Sequence, residues 1–160
     1  MKIVSLEEIR SALDVDAAID AIADGFRAHS AGRVQLAAVG HLAFPDVHGD
    51  CHIKAATIAG STVFAVKVAT GFYNNAERGL PTSNGFVAVL DTQTGAPLAL
   101  LMDEGWLTDT RTAIAGGVAA RRIMPARRGP IGVVGTGIQA DMQARMISRA
   151  TGRRGRAAPA

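Results

Sequence analysis

"IGVVGTGIQADMQARMISRA", Ile131 to Ala150, decides how the chain is read. A short apolar run leads into Gly135-x-Gly137-x-x-Ala140, and a segment with Met142, Met146 and Ile147 on one side follows. The first glycine permits a tight turn, the second lets a pyrophosphate approach the backbone, and a small third residue lets helix and strand pack closely. Free amides and the positive dipole end of the helix suit phosphates. A strand over Ile131–Val134, a turn and a helix are therefore expected, the opening unit of a dinucleotide-binding domain. The alternative is an ordinary glycine turn. The fingerprint also asks for an acid about 20 residues further on, to hold the ribose hydroxyls. There the sequence reads GRAAPA and has none. One strand and one helix fit before residue 160, so the Rossmann unit reads as begun and not completed.

Composition bounds the rest. The chain has 160 residues, 48% hydrophobic and 19% charged, which describes a globular protein with a core. No apolar run reaches the roughly 18 residues that span a bilayer. MKIVSLEEIR has no apolar stretch before a small-residue cleavage site, so no signal peptide is read. One cysteine, Cys51, excludes an internal disulfide and fits a reducing compartment, with the cytoplasm as the expected location. Charge is uneven: residues 1–120 sum to −5 and residues 121–160 to +8. The basic end holds no aromatic residue to stack on bases, and Arg121, Arg122, Arg145 and Arg149 fall on expected helices. No nucleic-acid partner is expected.

Upstream, Ser5 to Glu8 has the spacing of a capping box, opening a short helix to about Leu13. Ile19, Ile22, Ala23 and Phe26 recur at helical spacing, and Gly32 suits a helix end. From Val34 to about Leu90 the pattern is that of strands. DTQTGA suits a hairpin turn between NGFVAVL and PLALLM. A mostly antiparallel sheet packed by the N-terminal helices is expected. Thr108 or Asp109 is placed to cap a further helix, running to about Ile123 and ended by Pro125. ARRGP then links to the glycine loop. The fold class is α/β: an α+β domain over residues 1–125, then the first β-α unit of an incomplete Rossmann domain over 126–150, then a basic tail over 151–160 expected to be disordered.

Several residues are candidates for chemistry. Arg111 is expected in the first turn of its helix, where the dipole disfavours a cation by roughly 0.3–1 kcal/mol. A bound anion would offset that cost, and the alternative is a surface arginine. Lys67 sits among apolar neighbours in FAVKVATGF; pointing into a cleft it would suit carboxylate capture or proton transfer, and otherwise it is a solvent-face residue. Lys54, in HIKAA, raises the same question. RGLPTSNG (Arg78–Gly85) is a polar loop that can carry a site or only turn the chain. His29, His41, His48 and His52 show no metal-ligand spacing, so no metal is expected. Cys51 reads as a small packed residue.

VKVATGFYNNAERGLPTSNGFVAVLDTQTGAPLALLMDEGWLTDTRTAIAGGVAARRIMP followed by IGVVGTGIQA closely resembles the ornithine cyclodeaminase/mu-crystallin family. GLPT, LTDTRTA and GTGIQA at these spacings carry the resemblance, which covers residues 1 to about 150. It implies a homodimer-forming protein with a substrate-binding, dimerising β-rich domain and a Rossmann domain for NAD(H), or NADP(H). In the ornithine enzymes NAD takes hydride from the α-carbon of L-ornithine, the side-chain amine attacks the imine, ammonia leaves, and NADH reduces the ring imine to proline. Other members reduce ketimines, interconvert alanine and pyruvate, or bind ligands without catalysis.

By motif, Lys67 resembles the family's substrate-binding lysine, and Arg111 the arginine that clamps the substrate carboxylate beside the nicotinamide. Thr82 in GLPT, and Arg111 with Thr112 in RTA, resemble cofactor contacts. Gly135, Thr136, Gly137, Ile138 and Gln139 resemble the pyrophosphate loop. The ornithine enzymes use a further arginine upstream of the lysine; no arginine lies between Arg33 and Lys67, and Lys54 is the candidate to stand in for it. The region of the family's catalytic aspartate has no counterpart here. ATGRRGRAAPA departs from the family pattern, as a frameshifted reading of GC-rich sequence does. A truncated member is expected, with no turnover and weak or no NAD binding by itself, or a non-catalytic ligand-binding or dimerising protein.

Overall fold

The computed structural model describes residues 1–124 and 129–152. Pro125, most of the ARRGP linker and the tail from residue 153 on lie outside the described residues. The chain divides into two compact units. One comprises Met1–Leu13 and Arg27–Leu107; the other joins Asp14–Phe26 to the chain from Thr108 onward.

The first unit is built on a seven-stranded sheet: β1 (Lys2–Val4), β2 (Val34–Leu36), β3 (Gly40–Phe44), β4 (Gly49–Ile58), β5 (Val63–Phe72), β6 (Ser83–Asp91) and β7 (Pro97–Leu101). The order is β1-β7-β6-β5-β4-β2, with β3 also on β4. All neighbours are antiparallel except β1, which runs parallel to β7. The short strand β1 carries no sequence signal of its own. It forms because β7 offers a free edge, and Met102 donates its amide to the Val4 carbonyl at 2.9 Å.

Local chemistry sets the turns. The DTQTGA hairpin is held by the Asp91 carboxylate, which accepts from the amides of Gln93 (2.9 Å) and Thr94 (2.7 Å) and from the Thr94 hydroxyl (2.9 Å). The Thr94 amide, first among these bonds, holds the Asp91 carboxyl below its ordinary range. Gly95 closes the turn at φ 71°. A helix α1 (Leu6–Ala12) starts in the expected capping box: the Glu8 amide donates to the Ser5 hydroxyl at 3.3 Å, and the Ser5 amide to Glu8 Oε2 at 2.8 Å.

Two glycines are demanded by the sheet. A Cβ on Gly85 would collide with the Val68 carbonyl oxygen on the neighbouring strand. Gly49 pairs with Phe44 on one side and Phe72 on the other. With no side chain between them, the two rings stack at 5.5 Å between centroids.

The second unit packs three helices: the first part of α2 (Val15–Ser30), α3 (Trp106–Ile123) from Thr108, and α4 (Ile138–Thr151). Its core is Ile19, Ile114 and Val118, with Val15, Ala18, Ile22, Ala23 and Met146 against it. The sequence predicts that the N-terminal helices pack on the sheet; α1 and the end of α2 from Arg27 belong to the sheet's unit, whereas the apolar stripe of α2 from Val15 to Ala23 packs against α3 and α4. Gly117 makes the close approach possible, since a Cβ there would lie 3.1 Å from both Ala150 Cβ and Met146 Cγ. Helix α2 ends as expected, with Gly32 at φ 69° just beyond Ser30.

Two further expectations are corrected. Helix α3 begins at Trp106, ahead of Thr108 and Asp109, because buried Asp103 accepts the Leu107 amide on Oδ2 at 2.9 Å. Left-handed Glu104 (φ 51°) and Gly105 (φ 83°) make the turn between them. Residues Ile131–Val134 form no ladder: no described strand pairs with them, and Val134 is fully exposed. Extended backbone becomes a strand only when its amides and carbonyls find a partner.

Candidate functional site

In the first unit, β4 and β5 set Lys54 and Lys67 directly opposite each other. The row continues through Val87 and Leu101. Paired residues share a face, with Cβ atoms about 4.5–5.5 Å apart. Lys54 is exposed and Lys67 half-buried. Alternation along β4 puts Asp50 and His52 on that same face. His52 stacks on His41 at 4.8 Å, and its Nε2 lies 3.8 Å from Asp50 Oδ1. No three His, Cys, Asp or Glu side chains among the described residues are grouped to hold a metal ion. Cys51 is buried on the other face.

Thr82 lies at the bend entering β6, exposed, and its carbonyl accepts the Phe72 amide at 2.8 Å. The Asn75 side chain donates to the Pro81 carbonyl at 2.9 Å, so the GLPT turn is pinned from two sides. An open groove of about 420 Å³ elsewhere in this unit is lined by Gln35, Leu36, Ala55, Thr57 and Phe64, among others, and by none of the candidate residues.

In the second unit, Arg111 is the sixth residue of α3 and exposed. It stands in the second turn, so the first-turn dipole cost expected for it does not arise. Thr112 is half-buried, and its hydroxyl donates back to the Thr108 carbonyl at 2.7 Å. The glycine loop leads into α4 with Gly137 as N-cap, and no side chain accepts from the first-turn amides there. Gly135 has φ 113°, a conformation glycine adopts freely. Around Gly132, Gly135 and Gly137 there is open space where a Cβ would stand. Thr136 and Ile138 are exposed.

Gln139 fastens this loop to α3. Its Nε2 donates to the Asp109 carboxylate at 3.0 Å and to the Asp109 carbonyl at 3.2 Å. Its Oε1 is buried with no partner among the described residues. One turn on, Gln143 donates to the Thr112 carbonyl at 3.2 Å. Thus Thr112 and Gln139, read separately in the sequence, belong to one α3–α4 contact. In the sequence Asp109 reads only as a possible cap and Gln143 carries no signal of its own; the small-residue run Ala115-Gly116-Gly117, which admits a second helix, is the feature that points to this contact.

Two arginines of the basic region close the unit. Arg149 binds Asp16 through Nε (3.0 Å) and Nη2 (2.9 Å), and Arg121 Nε donates to the Ala150 carbonyl at 2.6 Å. The hydrogen bond from Arg149 is the main reason the Asp16 carboxyl lies below its ordinary value.

One unit holds a mixed sheet bearing paired lysines, and the other holds a backbone loop with open glycines that feeds an uncapped helix N-terminus; together they make an α/β protein with a helix end of the form that suits a phosphate group. The sequence profile of the ornithine cyclodeaminase/mu-crystallin family matches residues 1–154. An uncharacterized cyclodeaminase of Sinorhizobium fredii is 38% identical over 150 residues, covering 92% of this chain and 45% of the relative. An archaeal alanine dehydrogenase dimer with bound NAD superposes with a TM-score of 0.86 at 27% identity, over 96% of this chain and 46% of the other. The Δ1-pyrroline-2-carboxylate reductase of Thermococcus litoralis, solved with NADH and L-proline, gives 0.86 at 25%, over 94% and 46%. The chain belongs to the ornithine cyclodeaminase/mu-crystallin family. It spans about half the length of the relatives it matches. Among the described residues no helix is long and apolar enough to cross a membrane.

Proposed function

We propose that this chain carries the substrate face and the phosphate loop of an NAD(H)-dependent enzyme of amino-acid or imine chemistry. Residues 1–125 supply the first and residues 126–150 the second. The observation that carries the reading is the loop itself: three glycines with open space where side chains would be, an α4 N-terminus with no side-chain cap, and Gln139 holding the loop to α3. These features fit a pyrophosphate, which needs backbone approach and unspent amides.

In this reading Gly135 to Gln139 hold the pyrophosphate, and Thr82, Arg111 and Thr112 contact the cofactor. The nicotinamide, when bound, accepts or returns hydride at the substrate's α-carbon. Arg111 binds the α-carboxylate through paired N–H donors. Lys67 binds substrate and holds or passes a proton at its nitrogen. Conversion of L-ornithine to L-proline and ammonia, and reduction of a related imine, are the reactions this arrangement serves. The protein acts as a homodimer in the cytoplasm.

Saturation-transfer NMR, which detects weak ligands, tests the loop. NADH is expected to show transfer from the wild-type chain and none from Gly137→Val. That side chain has room in the fold but occupies the pyrophosphate's approach. Equal transfer from both proteins would refute the assignment.

A further inference from the structure

We propose that Asp109 is a positioning residue for the cofactor loop, acting through Gln139; the proposal rests on reading Gly135 to Gln139 as the pyrophosphate loop. The Gln139 Nε2 meets two acceptors of one residue, the Asp109 carboxylate at 3.0 Å and the Asp109 carbonyl at 3.2 Å. Its donors are thereby taken up by α3, and the side chain has none left for a phosphate. A pyrophosphate must then be met by backbone amides. The Ala140 amide turns back to the Gly137 carbonyl at 2.9 Å, and no side chain caps the helix. The Ile138 and Gln139 amides have no partner among the described residues and are the ones on offer. Gln139 thus carries one of these amides and also the side chain that fixes where the amide points.

Little else holds the loop. Among the described residues, Gly132 to Gly137 make no hydrogen bond except the one that Gly137 accepts from Ala140. Three of these six residues are glycines, which lose the most freedom when ordered. A loop that its ligand must order binds that ligand more weakly. The bonds from Gln139 to half-buried Asp109 order the loop's helical end beforehand, within one compact unit. The next turn offers a comparison on the same two helices. Gln143 donates to the Thr112 carbonyl at 3.2 Å, and a Cβ on Gly116 would collide with the Gln143 side-chain oxygen. That contact joins α3 to α4 four residues beyond Gln139, away from the glycines. Gln143 therefore serves packing, and Asp109 serves placement.

NADH affinity, from saturation-transfer titration of the whole chain, tests this. Asp109→Ala is expected to weaken NADH about tenfold, because the ligand then has to order the loop. Gln139→Ala should weaken it by the same factor, and the double substitution by no more, since both remove one interaction. Asp109→Asn keeps an acceptor for Gln139 Nε2 and should hold the affinity within about twofold of wild type. Gln143→Ala should lower the melting temperature and leave NADH affinity unchanged. The proposal is overturned if Asp109→Ala binds as wild type does, if Asp109→Asn is as weak as Asp109→Ala, or if the double substitution multiplies the two losses. It is also overturned if Gln143→Ala weakens NADH as much as Asp109→Ala, which would make the effect one of helix packing. In each of those cases Gly137→Val can still silence the transfer, and the loop assignment stands. No transfer from the wild-type chain, or equal transfer from Gly137→Val, removes the loop assignment and the proposal with it.

Discussion

Substitution of Gly49 by alanine is expected to cost stability only while Phe72 keeps its ring. A Cβ at position 49 would lie 2.7 Å from Cδ1 and Cε1 of Phe72 and 3.2 Å from Cγ. Carbon atoms rest at about 3.5–4.0 Å, so the ring would have to retreat by roughly 0.8 Å. Phe44 is stacked on it and resists that movement. Overpacking of this kind costs about 1–3 kcal/mol. Removing a glycine from a strand interior returns about 0.5–1 kcal/mol. The net cost of Gly49→Ala is then about 0–2.5 kcal/mol. In a Phe72→Ala background the same change meets nothing and should stabilise by about 0.5–1 kcal/mol. Urea unfolding of the four proteins in the cycle gives the coupling, expected near 1–3 kcal/mol from the difference. If Gly49→Ala costs the same with and without the ring, the stacking argument is wrong.

Asp103→Ala should lose about 1–2 kcal/mol, because a buried carboxylate that takes the Leu107 amide is removed from the start of α3. Asp103→Asn should lose much less, and a denaturation midpoint with helical circular dichroism distinguishes the two. The Asp16–Arg149 pair should make the second unit sensitive to acid. Arg149 lowers the native Asp16 pKa, so the unfolded state binds the proton more readily. The pair's contribution is therefore in place above the ordinary carboxylate value of about 3.9 and is lost as pH falls through the lower native value. Melting temperatures from pH 7 to pH 3 should fall less steeply for Asp16→Asn than for wild type. Identical acid limbs would count against the pair.

The parts legible in the sequence were those written locally. The Ser5–Glu8 capping box, the Asp91 hairpin and the glycine turn into α4 each depend on residues a few positions apart, so their spacing states their local geometry. What escaped was set by distant partners. Strand β1 exists only because β7 has an edge to offer, and no feature of Lys2–Val4 announces that. The sequence offers Thr108 or Asp109 as the start of α3, and the helix instead starts at Trp106 because Asp103 is buried and accepts the Leu107 amide, a burial that only the folded chain decides. The run Ile131–Val134 has strand composition and, among the described residues, no strand beside it. Lys54 and Lys67 could each be singled out as candidates, but their direct opposition depends on β4–β5 register, which thirteen residues of separation leave unspecified in sequence.

The Asp16–Arg149 contact joins residues 133 positions apart. At roughly 5–20 residues per second, synthesis of the intervening chain takes about 7–27 s. During that interval the hairpins β4–β5–β6–β7 can form from neighbouring segments, whereas the Ile19 stripe of α2 waits first for α3 and then for α4 to cover it. The second unit is thus completed by its earliest-made helix waiting for its last. An apolar surface held open that long is a natural stop for chaperones, and loss of Arg149 should show as slower maturation even where the finished protein tolerates it.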